Sequence, residues 1–130
     1  MNTQAASFTR SWLPAILWMA LIFGLSSIPG SSIPKVPIPR ITNIAHAIEY
    51  SILGILLLRG FTKSFPEKPL FILALLAAGT AILFGLSDEW HQTFVAGRFC
   101  ELEDLIVDAI SAALGILLSI RKAWLPPPKT

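Results

Sequence analysis

The sequence predicts an all-α polytopic membrane protein with four transmembrane helices in a compact bundle. Hydrophobic residues make up 54% of the 130-residue chain and charged residues only 14%, against roughly a quarter charged in a soluble domain. So few charges cannot coat a water-facing surface. Four apolar segments, at about 12–28, 41–61, 70–90 and 104–120, each reach the roughly 17–25 residues that a spanning helix needs. Four such runs buried in a soluble fold would leave almost nothing to meet water. The length is that of one domain, residues 1–130.

The first segment follows Arg10 and ends near Gly24 and Ser26. A small-x-small pattern there also fits a signal peptide. A single basic residue ahead of a run longer than the usual signal core favours a spanning helix. The linker after it, "PGSSIPKVPIPR", has prolines at 29, 34, 37 and 39, which exclude a helix and favour an extended, semi-rigid path. Its Ile33, Val36 and Ile38 suit a membrane interface or the cover of a pocket. The second and third segments are joined around Lys63 and Lys68. The third and fourth are joined through "SDEWHQTFVAGRFCELED", which holds five carboxylates, one arginine and one histidine. The tail "LPPPKT" is expected to be disordered, and no internal repeat is present.

Charge sets the orientation. Arg10, Arg59, Lys63, Lys68, Arg121, Lys122 and Lys129 flank one side of the predicted bundle, against Lys35, Arg40 and Arg98 on the other. The positive-inside rule puts both termini in the cytoplasm and the first and third linkers outside. The acids sort the opposite way, Glu67 alone being inside. Solubility explains Glu89, Glu101 and Glu103, but not Glu49 and Asp108, which lie inside apolar runs. At 1.5 Å per residue they sit roughly 12 Å and 6 Å below the starts of their helices. An intramembrane acid marks a functional site by default. The net charge of +2 without a basic block argues against nucleic acid as a partner. The single cysteine, Cys100, excludes an intramolecular disulfide and a cysteine metal cage.

Helical phase gathers the polar residues. Ala74, Ala78, Ala81, Gly85, Asp88 and Gln92 share a stripe on the third segment, and Asp104, Asp108, Ser111 and Gly115 share one on the fourth. His46, Tyr50 and Gly54, with Glu49 beside them, mark the second, and Ala20, Gly24 and Ser27 the first. Small residues let membrane helices approach closely, so the stripes should face one another and converge on one outward acidic pocket. Its expected ligand-binding residues are His46, Glu49, Tyr50, Asp88, Glu89, Gln92, Arg98, Asp104 and Asp108. The candidates for any catalytic role are Asp88, Arg98, Asp104 and Asp108. His46, Asp88, His91 and the aspartates look at first like a divalent-metal set, but no ligand spacing is diagnostic. The expectation is no metal and no cofactor, with Arg98 and protonation balancing the acids. No activated nucleophile, P-loop or dinucleotide fingerprint occurs.

The stretch "SDEWHQTFVAGRFCELEDLIVDAISAALG" resembles the signature of the VanZ-like family of small bacterial membrane proteins. Asp88, Glu89, Gln92, Phe94, Gly97, Arg98 and Asp104 match its D-E, Q, F, G-R and D positions. "HAIEYSILG" is similar to its histidine-tyrosine-glycine helix through His46, Tyr50 and Gly54, and Ser26-Ser27 ends the first helix in the family's manner. Ala96 stands in place of a proline, Asp108 of an asparagine and Ser111 of a glycine. The resemblance implies a four-helix protein of the bacterial plasma membrane, and a link to teicoplanin-type antibiotic resistance through the founding member. It implies no reaction.

Together these features predict an envelope protein, more a binder than an enzyme. Its partners would be membrane lipid and a lipid-linked or glycopeptide-like ligand, with a homo-oligomer allowed. A membrane hydrolase or transferase acting on a lipid-linked phosphate is the alternative, and a proton-coupled transporter the third reading.

Overall fold

The computed structural model describes residues 3–35, 37 and 41–124, with side chains from Phe8 to Lys122 within that range. Val36, Ile38, Arg40 and the "LPPPKT" tail therefore lie outside the described residues. Four helices make up the fold: α1 (Thr3–Ser26), α2 (Ile41–Ser64), α3 (Leu70–Gln92) and α4 (Leu102–Trp124). No strand occurs among the described residues, and the all-α expectation is borne out.

Local chemistry sets the helix ends. α1 stops at Ser26, short of the expected Ile28. A residue before proline is pushed out of the helical region, and Ile28 precedes Pro29. The last turn closes through Ser27 N to Phe23 O at 3.1 Å and Ile28 N to Leu25 O at 3.2 Å. The first linker was expected to exclude helix, yet Gly30–Ser32 forms one 3₁₀ turn. That turn docks on the linker between α3 and α4: Gly30 N donates to Ala96 O at 2.9 Å. Gly97 sits at φ +73° and faces Gly30, a backbone conformation open to glycine at no steric cost.

α2 is the hub. It packs on all three other helices, while α1 leans on α2 and only grazes α3. The closest crossing is with α4. A Cβ on Gly54 would lie 2.4 Å from Ala112 O, and one on Gly115 2.1 Å from Ser51 O. Ser51 Oγ donates to Ser111 O across the same seam at 3.1 Å. The glycines thus permit backbone contact between the two helices.

Two predicted stripes need correction. On α1, Ala20, Gly24 and Ser27 are exposed, and nothing lies within 4 Å of a Cβ placed on Gly24. Ser11, Ala15, Ile22 and Ser26 are the buried face instead. Ile22 joins the core from this face, so close approach through small residues is not needed there. On α3 the outer half of the stripe is buried as expected. Deeper in, Leu73 and Ala77 are buried while Ala74 and Ala78 are half-buried, a one-residue rotation of the packed face.

Three helical segments, Phe8–Ser26, Ile41–Ser64 and Leu70–Gln92, are long and apolar enough to cross a membrane. α4 is as long, but Asp108 interrupts its apolar run and Asp104 and Arg121 bound it. Large apolar side chains point outward around the bundle, among them Leu17, Leu83 and Leu118, each at least 60% exposed. Such a surface suits lipid, not water.

Candidate functional site

The C-terminal ends of α1 and α3 meet the N-terminal ends of α2 and α4 at one end of the bundle. Three polar side chains from the last turns of α3 are buried there: Asp88, Glu89 and Gln92, each 2% exposed. Four-residue spacing puts Asp88 and Gln92 on one face, and Glu89 is rotated toward α4. Ser26 Oγ, from the end of α1, donates to Asp88 Oδ1 at 2.6 Å. The Gln92 amide donates to Asp88 Oδ2 and Glu89 Oε1, both at 3.3 Å. Glu89 Oε2 accepts the Glu101 backbone N–H at 3.0 Å.

Gln92 also receives. Its Oε1 accepts from Arg98 Nε at 3.2 Å and Nη2 at 2.9 Å. The amide thus relays the guanidinium to the two acids, which never touch it. The direct contact between a basic side chain and the acids is elsewhere: His46 Nδ1 lies 2.9 Å from Asp108 Oδ1, and its Nε2 lies 3.9 Å from Asp104 Oδ2. Tyr50, one turn below His46, is fully buried. Its hydroxyl and Asp108 Oδ2 have no hydrogen-bond partner among the described residues. Glu49 is half-buried, and its carbonyl accepts Trp18 Nε1 at 2.9 Å, tying α1 to α2.

Two adjoining cavities open on this cluster, of about 280 and 290 Å³. Ile33, Thr42, His46, Gln92 and Arg98 line both. The first continues past Lys35, Glu101 and Asp104. The second runs down between α1 and α2 past Ile22, Leu25 and Ala45, with Glu49 and Asp88 on its wall. A wider hollow of about 550 Å³ at the opposite end, between Leu70, Phe71, Leu117 and Ile120, is lined by apolar side chains and suits a lipid chain.

The fold brings all nine expected ligand-binding residues to this one end. His46, Tyr50, Asp88, Glu89, Gln92 and Asp108 are buried; Glu49, Arg98 and Asp104 are half-buried. Three expectations change. Glu89, assigned to solubility, is inside, because α3 remains helical through it and the α3–α4 linker folds over it. Glu101 and Glu103 are exposed as that reading required. Arg98, expected to balance the acids, makes no ion pair with them among the described residues. His91, grouped at first with the metal-like residues, stays peripheral: it stacks on Phe23 at 4.1 Å and meets Ser27 Oγ at 3.0 Å.

Sequence reasoning missed Ser26, Thr42 and Lys35 as parts of the site. For Ser26 a signal existed, the serine pair closing an apolar run. Thr42 and Lys35 reach the cavity only through the folding of the first linker. It also missed a compact donor set. One ligand atom each from His46, Glu89 and Asp108 lies within 4.8 Å of the others, although the residues come from three helices.

A protein-family model described as VanZ/LLP1 matches residues 8–124, all four helices and the whole site. No curated protein and no solved structure matches the chain.

Proposed function

The chain belongs to the VanZ/LLP1 family, and from that premise we propose that it binds an amphipathic, lipid-linked envelope ligand at the polar end of the bundle. One observation carries the reading: a cavity of mixed polar and apolar lining and a mainly apolar one share a wall that includes Arg98. A ligand with an anionic headgroup and an acyl or prenyl chain would fill both. Ligand sites pair mostly apolar walls with a few placed polar groups. Arg98 keeps its charge uncancelled by a direct acid contact and is held in place by Gln92. Lys35 borders the same cavity. Guanidinium groups favour phosphate and carboxylate through paired N–H donors.

The flanking lysines and arginines support a topology in which this end faces outside a bacterial plasma membrane and both termini are cytoplasmic. α4 then serves as the fourth span, its Asp108 shielded by α2 and α3. Resistance of the teicoplanin type would follow from binding an envelope precursor. One geometric feature favours an enzyme as the second reading. His46 lies between Asp108 and Asp104, the surroundings of a general base, which would act on a lipid-linked phosphate.

The test is equilibrium binding of a labelled undecaprenyl-phosphate-linked precursor to the purified protein in nanodiscs. Saturable binding without turnover, weakened about tenfold or more by Arg98→Gln, is expected. Release of phosphate or of the headgroup would move the protein to the enzyme reading. Binding indifferent to Arg98 would remove the pocket from it.

A further inference from the structure

The same end of the bundle contains a second site that lipid binding does not require. We propose that His46, Glu89 and Asp108 bind a divalent transition metal, with zinc the ion their chemistry suits best. The expectation of no metal rested on the lack of a ligand pattern along the chain. Tertiary structure supplies one, since α2, α3 and α4 each contribute one buried donor within 4.8 Å of the other two. Ligands around tetrahedral zinc stand about 3.4 Å apart. Each donor therefore needs to move inward by at most about 0.8 Å. One imidazole and two carboxylates form a set that zinc accepts readily.

A second observation points to a ligand. Asp108 is 1% exposed, yet its Oδ2 has no hydrogen-bond partner among the described residues. Buried carboxylate oxygens are rarely left bare. The buried Tyr50 hydroxyl is also unpartnered among the described residues. Both side chains flank Gly85: a Cβ there would lie 3.4 Å from Tyr50 Cε1 and 3.6 Å from Asp108 Oδ2. The lack of a side chain at Gly85 leaves this corner open.

Charge points the same way. Asp88, Glu89 and Asp108 are each at most 2% exposed, and the only basic side chain in direct contact with any of them among the described residues is the His46 imidazole, on Asp108. Among the described residues the Arg98 guanidinium donates to Gln92 and to none of these acids. A divalent ion supplies the missing positive charge, the usual role of bound cations in such clusters. The surroundings resemble an outer shell. Glu101 N–H and the Gln92 amide hold Glu89, and Asp104 stands 3.9 Å from His46 Nε2. Outer partners of this kind orient metal ligands and tune them. Of the three donors His46 lines both cavities, so an ion would enter past its imidazole, with a fourth coordination position toward the pocket.

Zinc alone tests this, without lipid. The full chain, purified in detergent and stripped by chelator, is titrated with zinc chloride, and bound metal is counted by elemental analysis after removal of free ion. About one zinc per chain is expected. Affinity should fall about tenfold or more in both Glu89→Gln and His46→Ala, and hold in Glu67→Gln at the other end of the bundle. Circular dichroism checks that the variants keep their helices. If His46→Ala does not, the isosteric Glu89→Gln decides. Equal zinc in wild type and Glu89→Gln, or none in wild type, overturns the site. Lipid binding plays no part in either result.

Discussion

The two ends of this bundle are built on opposite principles. At the far end, Trp12 meets Phe61 edge-on with ring centroids 4.9 Å apart, and Phe8 and Phe65 extend the cluster. Gly60 makes room for the Trp12 indole, and the indole N–H is satisfied by Ser64 Oγ at 2.8 Å. Of the cations there, Arg10, Lys63, Lys68, Arg121 and Lys122 stay exposed and Arg59 is half-buried. At the His46 end Asp88, Glu89 and Asp108 are inside, the first two accepting two hydrogen bonds each and Asp108 meeting His46, with two buried polar atoms unpartnered among the described residues. The far end is what a fold needs. The His46 end is not, because buried ion pairs rarely outperform apolar packing of the same volume. Charge that does not help the fold is best explained by the ligand it serves.

The widest break acts on the seam that both ends share. Gly115→Val drives a branched side chain into the Ser51 carbonyl of α2, where backbone cannot yield. A loss of about 3 kcal/mol or more is expected, read as a lower melting temperature in detergent and lost ligand binding together. A mild effect would mean that α2 and α4 can separate without harm to the site.

Changes confined to the polar end should separate function from stability. Asp88→Asn keeps the acceptor for Ser26 but turns an amide donor toward the Gln92 donor. Cost to that contact is about 1–3 kcal/mol, and precursor binding should fall at least about tenfold. Glu103→Gln, on the exposed rim, should stay within about 0.5 kcal/mol. Equal tolerance of both would reduce the buried cluster to a solvated edge.

The converse change lies at the far end. Trp12→Phe removes the hydrogen bond to Ser64 while keeping an aromatic ring against Phe61. Stability should drop by about 1 kcal/mol with precursor binding unchanged. Lost binding would mean that the two ends are coupled through α1.

The finest probe is Cys100, which is exposed on the α3–α4 linker. Desolvation, then the charge of the Glu89 carboxylate and a hydrogen bond to it, hold its thiol above the ordinary range. Since the thiolate is the reacting form, an impermeant maleimide should label it slowly at neutral pH and faster as pH rises. Glu89→Gln should quicken labelling at pH 7. Labelling of intact cells supports the outward orientation; reaction only after lysis reverses it.

Much of this was legible along the chain. Runs of apolar residues fix where the helices lie, because a helix in lipid must satisfy its own backbone and clothe it in apolar side chains. Four-residue spacing placed His46, Tyr50 and Gly54, and Asp104, Asp108 and Gly115, on their faces, because 3.6 residues per turn is local geometry. Tertiary structure decided the rest. Which face of α1 is buried depended on α2, where Ile22 fits and Gly24 is not needed. Glu89 went inside because a linker folded over it, and Arg98 was drawn to an amide instead of an acid. The meeting of His46, Glu89 and Asp108 was decided by how three helices cross. Periodicity assigns each residue a direction on its own helix, but the crossing of helices is set by side chains on all of them at once.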